Sequence, residues 1–299
     1  MNSLVLLLTA LIWGAAFVAQ SVGMEHMGAF TFNAARFLIG GVVLLPCIPL
    51  LDKLAGGGAR RPVTPRQKKT LLAGGVSCGV ALWAAATAQQ FGVGLTTVGK
   101  AGFITALYIV LVPVLGLAAG KRAGARLWAS VALAVAGLYL LCMQGSFRLG
   151  AGDTLVLLCS LLFAVHILLI DHFSPLVDGV RMSCIQFFVA AGLSALGMLA
   201  FEQPSWQAVT AAWAPVLYAG VLSSGVGYTL QIIGQRGMDP TVASLLLSLE
   251  SVFSVLAGWL LLGQALSARE LGGCALMFGG ILLAQLPGKR SAAKNAQTS

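Results

Sequence analysis

Charged residues are scarce in this chain of 299 residues. Only 9% of the residues are charged, 58% are hydrophobic, and the mean hydropathy is +0.92. A water-soluble domain carries about 25% charged residues, and the surface of such a domain could not be built from this composition. The composition therefore excludes a large soluble protein and predicts a polytopic membrane protein with the lipid bilayer as its partner.

Patterns that bind metals, cofactors or ATP are also missing. The six cysteines stand singly in apolar segments without a C-x-x-C, and the chain has only three histidines. This usage argues against a disulfide framework and a zinc cluster. Neither H-E-x-x-H nor the Walker A motif G-x-x-x-x-G-K-[ST] occurs, so a zinc metalloenzyme and direct use of ATP are disfavoured. We therefore expect no metal and no cofactor.

Two further functional classes find little support. The net charge is +9, but the basic residues lie between apolar segments, so no nucleic-acid partner is expected. An intramembrane hydrolase would need a serine nucleophile and a base. No G-x-S-x-G surrounds Ser223 or Ser224, and His166 lies among apolar residues, so the chain is not expected to be an enzyme.

Ten apolar segments are long enough to span a bilayer, which takes about 20 residues each. Segments 1 to 5 are 4–22, 30–51, 70–91, 97–119 and 125–143, and segments 6 to 10 are 153–173, 182–201, 212–235, 240–262 and 268–286. The polar tail 287–299 is expected to be disordered and cytoplasmic. The predicted fold is an all-α integral membrane protein with ten transmembrane helices.

Lysine and arginine are distributed unevenly between the loops. If the N-terminus is cytoplasmic, 14 of the 18 basic residues lie on the cytoplasmic side, and Lys100, Arg148 and Arg269 lie outside. Cytoplasmic loops carry the excess of Lys and Arg in membrane proteins. The sequence therefore predicts cytoplasmic N- and C-termini and a multi-pass protein of the cell inner membrane.

The two halves of the chain resemble each other. LVLLLTAL at 4–11 lies over LVLLCSLL at 155–162 with a shift of 151, and two further matches follow in order with shifts of 146 and 143. We interpret 1–143 and 153–286 as two five-helix repeats. Because five is odd, the second repeat enters the membrane from the opposite side. Inverted repeats are typical of transporters, whose substrate site lies between the repeats near the bilayer midplane.

Six stretches carry a family resemblance: LIWGAAFVAQ (11–20), FNAARFLIGG (32–41), TTVGKAGFITALYIVLVP (96–113), HILLIDHFSP (166–175), SSGVGYTLQIIGQ (223–235) and PTVASLLLSLESVFSVLAGWLLLGQALS (240–267). Through them, nearly the whole chain resembles the EamA-type permeases of the drug/metabolite transporter superfamily. The resemblance implies ten helices in two repeats and movement of small metabolites, amino acids or drugs, with export favoured. Ser251 stands where such permeases often have proline, so the residues leave open whether segment 9 bends there.

Polar and aromatic side chains recur at helical spacing in several segments. They are Trp13 and Gln20 in segment 1, Trp83, Thr87 and Gln90 in segment 3, Tyr108 in segment 4, and Ser224, Tyr228, Gln231 and Gln235 in segment 8. Lipid-facing surfaces disfavour glutamine, so these stripes should face inward. They either line a wet cavity or form hydrogen bonds between helices.

Glu250 is the acid with the most costly predicted position. It lies about 15 Å from the start of segment 9, near the bilayer midplane, where a charge costs a few kcal/mol. His166 is expected at a similar depth. The hypothesis is that Glu250, with or without His166, carries a proton or binds an amino group of the substrate. The alternative is a structural hydrogen-bonded pair. The related stretch TALYIVLVPVLG (105–116) has no acid, so proton or cation chemistry is assigned to the second repeat.

Arg36 lies about 9 Å from the outer end of segment 2. It could bind an anionic group, pair with Glu250, or extend outward to the interface. Small residues such as Gly272, Ala275 and Gly279 on segment 10 indicate close helix packing, within one subunit or in a homodimer. Taken together, the sequence predicts a permease for a small-molecule substrate that works by alternating access. The alternative is a channel or an uncoupled facilitator.

Overall fold

The computed structural model describes residues 2–54, 64–96, 98–118, 120, 124–143, 150–262 and 267–286. All regular structure within these ranges is helical. The predicted cytoplasmic tail at 287–299 lies outside the described residues, and so does Arg148.

The helices follow the ten predicted segments closely. The first half forms α1 (Asn2–Met24), α2 (Ala29–Leu54), α3 (Pro65–Val93), α4 (Val98–Ala106), α5 (Tyr108–Ala118) and α6 (Ala125–Cys142). The second half forms α7 (Ala151–Phe173), α8 (Gly179–Phe201), α9 (Trp206–Ala211), α10 (Trp213–Leu217), the π-helix π1 (Tyr218–Tyr228), α11 (Thr229–Gln235), α12 (Pro240–Leu247), α13 (Glu250–Leu262) and α14 (Ala268–Gln285).

Length and composition make this a membrane protein. Within the described residues, seven helical stretches are long and apolar enough to cross a bilayer, and two shorter apolar helices cover Ala125–Leu141 and Pro240–Leu256. Large apolar side chains face outward, as for Leu4 and Phe201, which are 71% and 80% exposed. Such a surface is suited to lipid rather than water. The predicted all-helical, multi-pass membrane class is confirmed.

Several helices begin at the caps that their sequence provides. Thr64 precedes α3, and its hydroxyl accepts a hydrogen bond from the backbone N–H of Gln67 at 3.2 Å. Asp239 precedes α12 and accepts from the backbone N–H of Thr241 at 2.8 Å. Proline follows each cap, at a position where its missing N–H costs nothing.

Segments 4 and 9 are each broken into two helices, and for segment 9 this answers the question of a bend that the sequence left open. The breaks fall at Leu107 and at Ser248–Leu249. In segment 9, the hydroxyls of Ser244 and Ser248 each donate at 2.8 Å to a backbone carbonyl three residues earlier, which bends helices. In segment 4, Pro113 lies inside α5, six residues beyond the break at Leu107, so its missing N–H falls outside the break. Segment 9 therefore bends without a proline at Ser251.

Segment 8 changes its helical pitch where it meets α1 and α2. Residues 218–228 are π-helical and include three glycines. Gly220 lies so close to α2 that a Cβ there would be 2.7 Å from Ile39 Cβ. Such π turns are frequent at functional sites.

The bundle is held by contacts between its two halves. α2 packs on α8 and π1, α3 on α7 and α8, α1 on α13 and π1, and α4 and α5 on α7. α6 packs on α14, where Gly137 and Gly273 let the backbones approach. The predicted stripe containing Gly272 and Gly279 lies on the other face of α14, where a Cβ at either position would meet nothing within 4 Å. Close packing within the subunit therefore uses the opposite face, and the homodimer contact stays a prediction.

Candidate functional site

A polar cavity lies at the centre of the bundle, between the two halves. It is lined by Trp13, Ala16, Phe17, Gln20, Arg36, Gln89, Thr105 and Tyr108 from the first half, and by Phe163, Ile167, Ser223, Tyr228, Gln231, Leu247 and Glu250 from the second. No described residue of α6, α8 or α14 lines it. Its volume is about 30 Å³, which is room for one or two water molecules. The cavity therefore has no room for a solute of metabolite size in this arrangement of the helices.

Glu250 enters the cavity from the break in segment 9. It is the first residue of α13 and is 5% exposed. Tyr108, the first residue of α5, donates from its hydroxyl to Glu250 Oε1 at 3.1 Å. A negative charge at a helix N-terminus is stabilised by the helix dipole. The two breaks thus bring an acid and a phenol together, and the break at Glu250 supplies a favourable helix end.

Arg36 is buried inside the bundle and does not extend to the outer interface. It is 1% exposed, and its guanidinium lies over the ring of Phe37 at 4.6 Å and near that of Phe32 at 5.7 Å. Its Nε and Nη2 have no hydrogen-bond partner among the described residues. In the same part of the chain, no ion pair joins Arg36 to Glu250. The site therefore contains a buried arginine and a buried acid that do not contact each other directly.

Aromatic and amide groups form the rest of the wall. The rings of Trp13 and Tyr228 lie 4.5 Å apart. Trp13 Nε1 donates at 3.1 Å to the carbonyl of Ser223, which lies in the π-helix. The Oε1 atoms of Gln20 and Gln231 are buried without a partner among the described residues. This wall offers ring faces and amide groups to a bound solute.

His166 lies behind the cavity wall. It is fully buried, its Nε2 lies 3.2 Å from Gln186 Oε1, and its ring centroid lies 6.0 Å from that of Tyr228. Gln186 in turn donates to Ser183 at 3.5 Å. The histidine therefore belongs to a polar chain between α7 and α8, separated from the cavity by Tyr228.

Five other predicted residues are also absent from the lining. Gln90 Nε2 donates to the carbonyl of Gln20 at 3.1 Å, and Gln235 Nε2 donates to that of Ile167 at 3.5 Å. Ser224 packs against Gly40. Trp83 Nε1 and Thr87 Oγ1 are buried, and neither has a hydrogen-bond partner among the described side and main chains. These side chains hold or fill the spaces between helices.

The structure adds lining residues that the sequence reasoning missed. Gln89 lines the cavity in place of Gln90, and its Nε2 lies 3.4 Å from Thr105 Oγ1. In the sequence repeat, Gln89 corresponds to Gln235 at a shift of 146, and this match could have indicated Gln89 as a candidate site residue. Phe163 and Ser223 also line the cavity, but neither residue type stands out in so apolar a chain.

These features define a multi-pass membrane protein with a polar cavity at the interface of its halves. Residues 2–143 and 150–286 match the EamA-like transporter family, and the chain belongs to that family. The predicted family is confirmed, and with it the general class of membrane transporter.

Several known proteins are similar to this chain. An uncharacterized transporter of Archaeoglobus fulgidus is 29% identical, over 94% of this chain and 84% of its own length. The uncharacterized transporter YwfM of Bacillus subtilis is 27% identical, over 99% of this chain and 98% of its own. A crystal structure of another protein shares the fold with a TM-score of 0.77 and 22% identity, over 97% of this chain and 98% of that one.

Proposed function

We propose that this protein is a permease that moves a small metabolite, amino acid or drug-like solute through the central cavity by alternating access. The observation that carries the proposal is the small cavity of about 30 Å³, lined by both halves of the chain. A solute of metabolite size fits only if the surrounding helices separate. Inverted repeats favour alternating access, whereas channels are marked by charged rings or a filter of backbone carbonyls.

The proposed topology is ten transmembrane spans in two inverted repeats, 1–143 and 153–286. The packing supports this topology. If each of segments 1–5 is replaced by its counterpart among segments 6–10, and the reverse, the contact of α1 with α13 corresponds to the contact of α7 with α4 and α5, and both are present. By the same correspondence, the contact of α2 with π1 matches that of α8 with α3. The contacts of α2 with α8 and of α6 with α14 each correspond to themselves. A two-fold axis in the membrane plane produces such a pattern. The uneven distribution of Lys and Arg supports cytoplasmic termini in the inner membrane.

Matched contacts at the two ends of α2 and α8 supply candidate gates. Arg181 Nη2 near the start of α8 donates to Asp52 Oδ2 near the end of α2, at 2.8 Å. At the other end, Glu202 follows α8 and accepts from the backbone N–H groups of Phe30 and Thr31 at 2.9 and 2.8 Å. We infer that one contact opens while the other stays closed, because each joins the same two helices at an opposite face.

Glu250 is the proposed coupling residue. Its carboxylate lines the cavity and is bonded to Tyr108. If a proton and a cationic group of the solute compete for it, outward movement of one is coupled to inward movement of the other. This competition supports export by proton antiport. The predicted roles of His166 and of the polar residues outside the lining stay predictions.

Flux in proteoliposomes tests the proposal. The purified protein is reconstituted with an entrapped pH-sensitive dye and exposed to pools of amino acids, primary amines and carboxylic acids. We expect saturable, solute-dependent proton movement, which Glu250→Gln abolishes while preserving expression. Glu25→Gln is the matched control, because Glu25 is exposed in a loop and should behave as the wild type.

Three results would contradict parts of this proposal. Undiminished proton-coupled flux in Glu250→Gln would remove Glu250 from the coupling step. Solute flux that ignores the pH gradient would indicate an uncoupled facilitator. Single-channel currents in planar bilayers would indicate a channel.

A further inference from the structure

We propose that an apolar groove between segment 4 and α6 binds an acyl chain of a glycerophospholipid, whose phosphate is held by Arg269. This lipid site goes beyond the proposed function, because the groove shares no lining residue with the central cavity. The proposed topology enters only in assigning the leaflet that supplies the lipid.

The groove lies where α6 separates from the broken segment 4. α6 packs mainly on α14, and Phe103 of α4 and Val110 of α5 face it across the groove, which has a volume of about 660 Å³. The groove is deep because small side chains lie between two rings on the same face of α6. From one end to the other, this face carries Trp128, Val131, Ala132, Val135, Ala136 and Tyr139.

The dimensions of the groove suit an acyl chain and are too narrow for a helix. Trp128 and Tyr139 are eleven residues apart on α6, or about 16 Å along its axis. A volume of about 660 Å³ over that length gives a mean cross-section of about 40 Å². A helix is about 10–12 Å across and needs about twice that area. The length is also about half of the hydrocarbon layer, which is the depth that the chains of one leaflet fill.

A cation lies at one end of the groove. Arg269, in the first turn of α14, is exposed, and its guanidinium lies 5.6 Å from the ring centroid of Tyr139. The ring of Tyr139 in turn meets that of Phe103 edge to face, with centroids 6.3 Å apart. A guanidinium presents its N–H donors in a geometry that matches phosphate. In a glycerophospholipid the phosphate and the acyl chains are on one glycerol, so a chain in the groove brings the phosphate to Arg269.

The bound lipid should also stabilise the broken segment. Phe103 lies before the break at Leu107 and Val110 lies after it, so one chain in the groove contacts both α4 and α5. In the proposed topology, the end of the groove beside Arg269 faces the outer side of the membrane. The outer leaflet therefore supplies the lipid.

Native mass spectrometry of the purified full-length protein in detergent tests the inference. The probes are dioleoylphosphatidylglycerol, dioleoylglycerol, which lacks the phosphate, and glycerophosphoglycerol, which lacks the chains. We expect the phospholipid to saturate a first site at one lipid per chain, about fivefold more tightly than dioleoylglycerol. One cation at a membrane surface contributes on that scale. Glycerophosphoglycerol should show no saturable binding.

Variants assign the two parts of the site. Arg269→Gln should lower the affinity for the phospholipid to that for dioleoylglycerol and leave the latter unchanged. Ala136→Phe fills the groove with a ring and should abolish the first site for both lipids. The matched controls are Arg66→Gln and Ala73→Phe, which alter exposed positions of α3 outside the groove and should bind as the wild type does.

A thermal unfolding series adds an independent readout. The phospholipid should raise the unfolding midpoint of the wild type and of Arg66→Gln more than that of Arg269→Gln. Ala132→Leu narrows the same groove with a smaller side chain than phenylalanine, so it serves if Ala136→Phe fails to fold.

The opposing outcomes are distinct. If dioleoylglycerol binds as tightly as the phospholipid, or if Arg269→Gln changes nothing, Arg269 does not hold the phosphate. If Ala136→Phe and Ala132→Leu bind both lipids as the wild type does, the groove is not the site. If these two variants instead convert a dimer into a monomer, the groove is an interface between copies of the chain. Solute flux in proteoliposomes tests the permease proposal separately.

Discussion

The two halves of the chain build the same helices but place different chemical groups on them. Arg36 and Gln186 are each the eighth residue of α2 and α8, which begin at Ala29 and Gly179. Tyr108 and Glu250 each begin the helix that follows a break. The first half thus supplies the cation and a phenol, and the second supplies an amide and the acid. A repeated scaffold becomes selective where its copies differ.

The strongest test of this comparison exchanges the acid Glu250 and the phenol Tyr108 between the two halves. Glu250→Tyr should reduce proton-coupled flux to the level of protein-free liposomes, because the coupling carboxylate is gone. Adding Tyr108→Glu should recover part of the flux, since the carboxylate then lies at the start of α5 and faces a phenol across the same gap. The measurement is the proteoliposome assay with the entrapped dye.

The single variant Tyr108→Glu is the control for the exchange. It places two carboxylates together and should transport more slowly than the wild type, because like charges at this distance repel. If the double variant is as inactive as Glu250→Tyr alone, the halves are not interchangeable at the breaks. The comparison would then be limited to the backbone.

Much of the fold was predictable because it depends on the lengths of the apolar segments. Each of the ten segments corresponds to a helix or to a run of helices with nearly the same bounds, since bilayer thickness fixes how much apolar sequence is needed. The break in segment 9 was missed because it lies beside serine hydroxyls bonded to nearby carbonyls, and serine is also common in unbroken membrane helices. The π-helix of segment 8 likewise depends on tertiary contacts.

The cavity was predictable only in part. Helical spacing predicts which residues share one face of a helix, but not whether that face is turned toward the cavity. Glu250 was singled out by the cost of placing an acid in a membrane and Tyr108 by helical spacing, whereas three positions were left open for Arg36. All three side chains line the cavity. Gln89 and Gln90 are adjacent and equally polar, and the rotation of α3 decides which of them lines it. That rotation is set by the packing of α3 on α7 and α8. The sequence pattern of segment 3 alone carries no information about this packing.

A second test compares the two proposed gates, whose contacts should differ in strength. Glu202→Gln weakens an acceptor of two backbone N–H groups and the Thr31 hydroxyl, a helix-capping interaction worth about 0.5–2 kcal/mol. Amide hydrogen exchange in the first two turns of α2 should rise by about 2- to 30-fold. Asp52→Asn removes a partly exposed ion pair, so exchange in the first turns of α8 should rise about fivefold at most.

Hydrogen exchange measured by mass spectrometry resolves the two helix ends in one experiment. Each variant should affect its own end and leave the other end at wild-type rates. If both ends respond equally to either substitution, α2 and α8 open as one unit. The pair would then not act as two gates.

The smallest expected difference between the halves lies in α6 and α14, away from the cavity. Gly137 and Gly280 are equivalent at a shift of 143. A Cβ at Gly137 would lie 2.6 Å from the carbonyl oxygen of Gly273, whereas a Cβ at Gly280 would lie 2.8 Å from that of Ser130. Overpacking costs about 1–3 kcal/mol. Both alanine variants should therefore lower the thermal unfolding midpoint in detergent, Gly137→Ala slightly more. Gly279→Ala is the control, because nothing lies within 4 Å there, and an equal loss in it would exclude helix contact as the cause.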